Sequence, residues 1–187
     1  SKTGFVLPET PGRLPSRTHK RRWTAFDTAL ISIGQGDVLV SPLQAALYTA
    51  AIANGGTLWK PNILKSILAA DGATVYSEQP EANGRLAASP QTLEMIRYGM
   101  FLSVNSDVGG SRRAHNEAIQ LSGKTGTAEV GPRDKRYKNT WFIGFGTHSG
   151  KTYAIAILVE RGIAGGRTCA PLAAEFFTRW LGTGKQR

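Results

Sequence analysis

A chain of 187 residues fits a single domain, since domains commonly run to roughly 100–200 residues. Its 41% of hydrophobic residues excludes a disordered polymer, and one cysteine, Cys169, excludes an internal disulfide. The net charge of +10 raises nucleic acid as a partner, but no recognition helix, aromatic-studded strand or finger accompanies the basic clusters at 17–23 and 132–138, so nucleic acid is set aside.

In chain order, residues 1–30 read as an extended, loop-like lead-in, because Pro8, Pro11, Gly12 and Pro15 prevent long regular structure. Residues 31–187 carry the helices and strands. Ser41, Pro42 and Gln44 supply an N-cap, a first-turn proline and a capping-box glutamine, so a helix starts there. Leu43, Ala46, Leu47 and Ala50 mark its expected buried stripe, and Gly55 ends it. Two strands are expected around Asp71-Gly72. Ser89-Pro90 caps a second helix with Leu93, Ile96, Met100 and Phe101 inward. Strands follow over 119–130, 141–145 and 153–160, the last apolar enough that both faces should be covered. The short turn after His148 makes the last two a hairpin. Pro171 opens a terminal helix with Leu172, Phe176 and Trp180 on one side, and Cys169 is expected to be a small buried residue near its start. With no βαβ alternation, the fold class is α+β: an antiparallel sheet flanked by helices.

The stretch "SGKTGTAEV" over 122–130 is the chemically richest. A phosphate-binding P-loop needs a glycine five residues before Gly123, where Ala118 stands, and a helix after Lys124, where strand residues follow. The Gly150-Lys151-Thr152 copy fails as well, since position 145 would have to be glycine. The alternative is the wall of an acyl-transfer site, where Lys-Thr-Gly on a strand stands beside a nucleophilic serine. There Lys124 favours a substrate carboxylate and stabilises developing charge. Gly126, without a Cβ, lets substrate lie against the strand. The Thr125 and Thr127 hydroxyls can donate to a carboxylate, and a strand N–H can serve in an oxyanion hole. A second Lys-Thr-Gly, at Lys2, sits in the proline-rich lead-in and reads as a solvated turn.

Context separates the two copies. "SIGQG", "SPLQAA" and "AIANGG" within 32–56, "GKTGTAE" at 123–129, "WFIGF" at 141–145 and "VERGIAGG…AP" at 159–171 occur in one order. Together with "TGFVLPETPGRLPS", they resemble the C-terminal half of the transpeptidase domain of class B penicillin-binding proteins, nearest to the elongation type that shapes rod-like cells. The resemblance covers essentially the whole chain. It implies that 1–187 is the C-terminal part of one transpeptidase domain with the penicillin-binding/β-lactamase-like fold. It implies cross-linking of peptidoglycan stem peptides ending in D-Ala-D-Ala through a serine acyl-enzyme, and trapping by β-lactams. Lys124, Thr125, Gly126 and Thr127 would be the catalytic wall. Thr125 and Thr127 would bind the carboxylate, and the Thr127 N–H would enter the oxyanion hole. No cofactor or metal is implied. The expected partners are the upstream half of the same domain and a shape-type glycosyltransferase. The expected location is the extracytoplasmic, periplasmic face of the inner membrane, with the anchor outside this chain.

The rest of the machinery is missing from the residues. No serine has lysine three positions on, and Thr57 with Lys60 has the spacing but the wrong hydroxyl. Ser103-Val104-Asn105 matches Ser-x-Asn, and Tyr137-Lys138-Asn139 offers a similar spacing, but both fall at the wrong place in the order. The nucleophile is therefore expected upstream. A non-catalytic scaffold derived from the same fold is the alternative. Asn139-Thr140 before Trp141, where the family often has His-Ala, and "GFGT" in place of an Ala-Pro ending are departures at the strand entrance.

Overall fold

The computed structural model describes residues 2–16, 18, 22–132 and 134–182. The centre is a three-stranded antiparallel sheet in the order β5-β6-β7, formed by β5 (Gln120–Val130), β6 (Tyr137–His148) and β7 (Lys151–Val159). The β5–β6 register runs unbroken from Gln120↔Thr147 to Val130↔Tyr137, and Gly123 faces Gly144 across it. Strands β6 and β7 close through Ser149-Gly150, both in the left-handed region, as a tight hairpin with matching twist requires.

Helices cover both faces of this sheet. Helix α2 (Pro42–Ala53) packs on β6 and β7, while α3 (Pro90–Asn105) and α4 (Gly165–Gly182) lie against the strands from the other side. Alternation along β6 sends Thr140, Phe142, Gly144 and Gly146 to the α3/α4 side, where all four are buried. Phe142, Ile119, Leu121, Val104, Cys169, Ala173 and Phe177 form the main core there. Tyr153 of β7 meets Trp180 edge-on, with ring centroids 4.5 Å apart. The nearly continuous apolar character of β7 thus matches its position between two helical layers.

Two small antiparallel pairs complete the fold: β1 (Thr57–Trp59) with β4 (Ala82–Arg85), and β2 (Ser66–Leu68) with β3 (Thr74–Ser77). The second is the hairpin expected around Asp71-Gly72. The Asp71 Oδ1 accepts from Ala73 N at 2.9 Å, and the carbonyl of Ala69 accepts from Gly72 N at 2.9 Å.

The expected elements are present, with corrections to where two helices start and to which faces three helices bury. Residues 25–30 are helical: α1 (Ala25–Ser32) starts on a capping box in which Thr24 and Asp27 satisfy one another's backbone N–H. An Asp in the third position did this work where the lead-in prolines suggested only loop. Helix α4 begins six residues before Pro171, which lies inside it. Glycines 165 and 166 start the helix because space, not propensity, decides there. A Cβ on Gly165 would fall 2.5 Å from the Gly126 carbonyl oxygen.

The buried faces are also rotated from expectation. In α4, Leu172 and Phe176 are exposed while Cys169, Ala170, Ala173 and Phe177 are buried. In α2, Ala45, Thr49 and Ala51 are the fully buried residues, and the expected stripe is half-buried. In α3, Leu93 and Met100 are inside with Val104, but Ile96 is exposed and Phe101 half-buried. Small residues take the closest approaches, so hydrophobicity alone misplaced the contact lines. Cys169 is buried as expected, its thiol donating to the Thr140 carbonyl at 3.1 Å.

Candidate active site

Strand β5 is at the edge of its sheet, so alternate residues direct their backbone groups away from β6. Side-chain capping shows that these are the odd-numbered residues. Asn105 Nδ2 donates to the Leu121 carbonyl at 2.9 Å, Thr125 N donates to Ser111 Oγ at 3.1 Å, and Gln35 Nε2 donates to the Thr127 carbonyl at 3.0 Å. The N–H of Thr127 points the same way as its carbonyl, and no side chain among the described residues accepts from it. Lys124 is exposed and its Nζ turns back to donate to the Thr125 carbonyl at 2.6 Å.

The threonine hydroxyls are held differently. Thr125 Oγ1 lies 3.4 Å from both Ser111 Oγ and the Gly110 carbonyl. Thr127 Oγ1 accepts from Gly165 N, in the first turn of α4, at 3.1 Å. The positive end of an 18-residue helix is thereby brought against β5 at Thr127. That contact also gives the Gly-Gly of "VERGIAGG" a purpose, since only glycine allows the helix start to touch the Gly126 and Trp141 carbonyls.

Lys124 to Ala128 form one wall of a cleft of about 1100 Å³, with Trp141 and Ile143 beside them. Leu14, Ile33, Leu39, Leu47, Tyr48 and Trp59 line the same cleft. Burial raises the Tyr48 phenol above its usual 10, so it remains neutral there. Among the described residues lining this cleft there is no carboxylate, whereas Lys2, Arg13 and Lys124 all reach it. Arg13 has an ion-pair partner in Asp37 at 3.7 Å. Among the described residues no group of three or more His, Cys, Asp or Glu could hold a metal ion, and no helix is long and apolar enough to cross a membrane.

The two copies of Lys-Thr-Gly have different surroundings. Thr3 is almost buried, and its N–H, its hydroxyl and the Gly4 N–H all donate to Glu9. The Lys2 copy is thus a structural turn at the cleft rim. Ser103 and Asn105 lie beneath β5 rather than in the cleft: Ser103 Oγ donates to Ser111 Oγ at 2.9 Å, and Asn105 Nδ2 also reaches the Phe101 carbonyl. Gln35, Ser111 and Gly165 were not singled out from the sequence. The quoted motifs contained Gln35 and Gly165, but their partners are 92 and 38 residues away.

The chain is similar in sequence and fold to known proteins. The profile of the penicillin-binding protein transpeptidase domain matches residues 2–178. Peptidoglycan D,D-transpeptidase MrdA of Acinetobacter baumannii is 33% identical over 99% of this chain and 30% of its own length. Peptidoglycan D,D-transpeptidase PbpA of Mycobacterium tuberculosis is 33% identical over 76% of this chain and 30% of its own length. Among solved structures, the complex between penicillin-binding protein PBP2 and MreC from Helicobacter pylori superposes with a TM-score of 0.78 at 28% identity, covering 98% of this chain and 33% of that one. The ceftriaxone acyl-enzyme complex of penicillin-binding protein A from M. tuberculosis gives 0.69 at 31% identity, covering 81% and 35%. The chain spans about 30% of the length of these curated relatives. Sequence match and fold agree: the chain belongs to the penicillin-binding protein transpeptidase family.

Proposed function

We propose that this chain forms the lysine-bearing wall of a peptidoglycan D,D-transpeptidase of the elongation type. A serine contributed by the upstream half of the same domain attacks the D-Ala-D-Ala carbonyl. The peptide C–N bond breaks, and the terminal D-alanine leaves with a proton on its nitrogen. An amine from a second stem peptide then attacks the ester, the C–O bond breaks, and the serine regains its proton. A β-lactam acylates the same serine and stays attached.

The observation that carries this reading is the outward Thr127 N–H on the open edge of β5, beside Lys124 and next to the start of α4. A substrate chain lying along that edge would place its acyl oxygen at Thr127 N–H, the serine's own N–H completing the oxyanion hole. Thr125 and Thr127 hydroxyls and Lys124 would receive the terminal carboxylate, in a cleft free of described carboxylates. Gly126 keeps the strand surface open: a Cβ there would meet only Trp141 Cβ, at 3.5 Å. The reaction needs no cofactor. Its setting is the periplasmic face of the inner membrane, with a shape-type glycosyltransferase as the partner that supplies glycan strands.

The test is labelling with fluorescent penicillin. The intact domain should be acylated at a serine followed three residues later by lysine, and this chain alone should not. An intact protein that binds no penicillin covalently would favour the scaffold reading instead.

A further inference from the structure

The motif "SIGQG" has a local cause and a distant consequence. Helix α1 ends at Ile33, and Gly34 follows with φ of +71°. Gly34 N donates to the Ile31 carbonyl at 3.0 Å, and Gln35 N to the Leu30 carbonyl at 2.9 Å. These are the two bonds of a Schellman stop, which places Gln35 at its second exterior position. Gly36, with φ of +76°, turns the chain away immediately afterwards. The glutamine backbone is therefore fixed on both sides, and its side chain reaches the Thr127 carbonyl.

That carbonyl is one of two that flank the Thr127 N–H along the open edge, the other being that of Thr125. Left bare, both would present lone pairs to an anion approaching the N–H between them. Both are covered by donors: Lys124 Nζ on Thr125 at 2.6 Å, and Gln35 Nε2 on Thr127 at 3.0 Å. We infer that Gln35 is a positioning residue for acyl transfer: its amide neutralises the Thr127 carbonyl and fixes that residue's peptide, so that the N–H can accept developing negative charge. The inference rests on the transpeptidase reading proposed above. Gln35 touches no reacting atom; it acts through Thr127.

The experiment uses the intact protein and measures the penicillin acylation rate at saturation, apart from the affinity of the non-covalent complex. Gln35→Ala should lower the saturated rate by roughly 10-fold, less than the 10²–10³-fold typical of removing an oxyanion donor itself. Non-covalent affinity and melting temperature should stay near those of the unsubstituted protein. Gln35→Glu should be slower still at neutral pH, because a carboxylate faces the carbonyl. Its rate relative to the unsubstituted protein should rise on acidification, as the protonated acid becomes able to donate an O–H. A ratio that is flat with pH, or rates equal to those of the unsubstituted protein, overturns the inference while the acyl-transfer reading stands. Absence of acylation in the unsubstituted protein overturns both.

Discussion

The backbone N–H of Thr125 donates to the hydroxyl of Ser111 at 3.1 Å, and Ser111 is wholly buried. Ser111 Oγ also accepts from Ser103 Oγ at 2.9 Å, so one small side chain joins the end of α3, the turn before β5 and the edge of β5 itself. Ser111→Ala should remove this acceptor and leave two half-buried donors unmatched. The expected cost is about 1–3 kcal/mol of stability, read from denaturant unfolding. An unchanged midpoint would show that water replaces the hydroxyl without loss.

Lys124→Ala should leave the fold intact, since the side chain is exposed and bonds only to its own strand. In the intact domain it should slow penicillin acylation by on the order of 10²-fold or more. Lys2→Ala should do little, because the Lys2 copy is a turn built around Glu9. Equal losses from the two variants would refute the distinction.

Two glycines of β5 should respond in opposite ways. A Cβ on Gly123 would fall 2.3 Å from Cζ of Phe142, whose ring lies across the facing Gly123 and Gly144. Gly123→Ala should therefore cost about 1–3 kcal/mol through overpacking. Gly126→Ala meets only an ordinary contact and should melt normally, yet acylate slowly because the added methyl faces the cleft. Thermal melts and acylation rates of the pair separate packing from function.

The lead-in should loosen in acid. Desolvation pushes the Glu9 pKa up, but the hydrogen bonds from Thr3 and its neighbours outweigh it and leave the group below its usual 4.5. A depressed folded value means the stabilisation is complete above the ordinary glutamate range and disappears as pH falls through the folded value. Amide-exchange protection of Thr3 and Gly4 should fall across that acid window, and Glu9→Gln should show weak protection already at neutral pH. Protection independent of pH would contradict the assignment.

The chain on its own should be marginally stable. Leu14, Ile33 and Leu39 are 75%, 71% and 56% exposed, and all three line the cleft. An apolar wall of this extent is expected to need cover from the upstream half of the domain. The isolated chain should bind a hydrophobic dye and melt at low temperature, and joining the upstream half should suppress both. A cooperative, high-temperature melt of the isolated chain would contradict this.

Much of the fold was legible because its signals are local. Ser41-Pro42-Gln44 and Ser89-Pro90 start helices where expected, Asp71-Gly72 makes its hairpin, and the β5, β6 and β7 patterns reveal an antiparallel sheet. The α1 start was missed although Thr24 and Asp27 are only three residues apart, since prolines upstream dominated the reading. The contact lines of α2, α3 and α4 were harder. Which face a helix buries depends on how closely its neighbour approaches, and alanine and glycine record that approach only faintly.

For the candidate site, the sequence by itself determined the residue set: a strand with lysine, two hydroxyls and a bare glycine, selected over its duplicate by the motifs around it. It also placed Lys-Thr-Gly on a strand and excluded a phosphate loop. Only the tertiary structure decided which edge of that strand is open and what caps it. Gln35, Asn105, Ser111 and Gly165 arrive from four separate segments, and hydrogen bonds between such distant residues leave no periodicity for a sequence to display. Their meeting depends on the packing of α1, α3 and α4 around β5, and that packing makes a common tripeptide into one wall of a pocket.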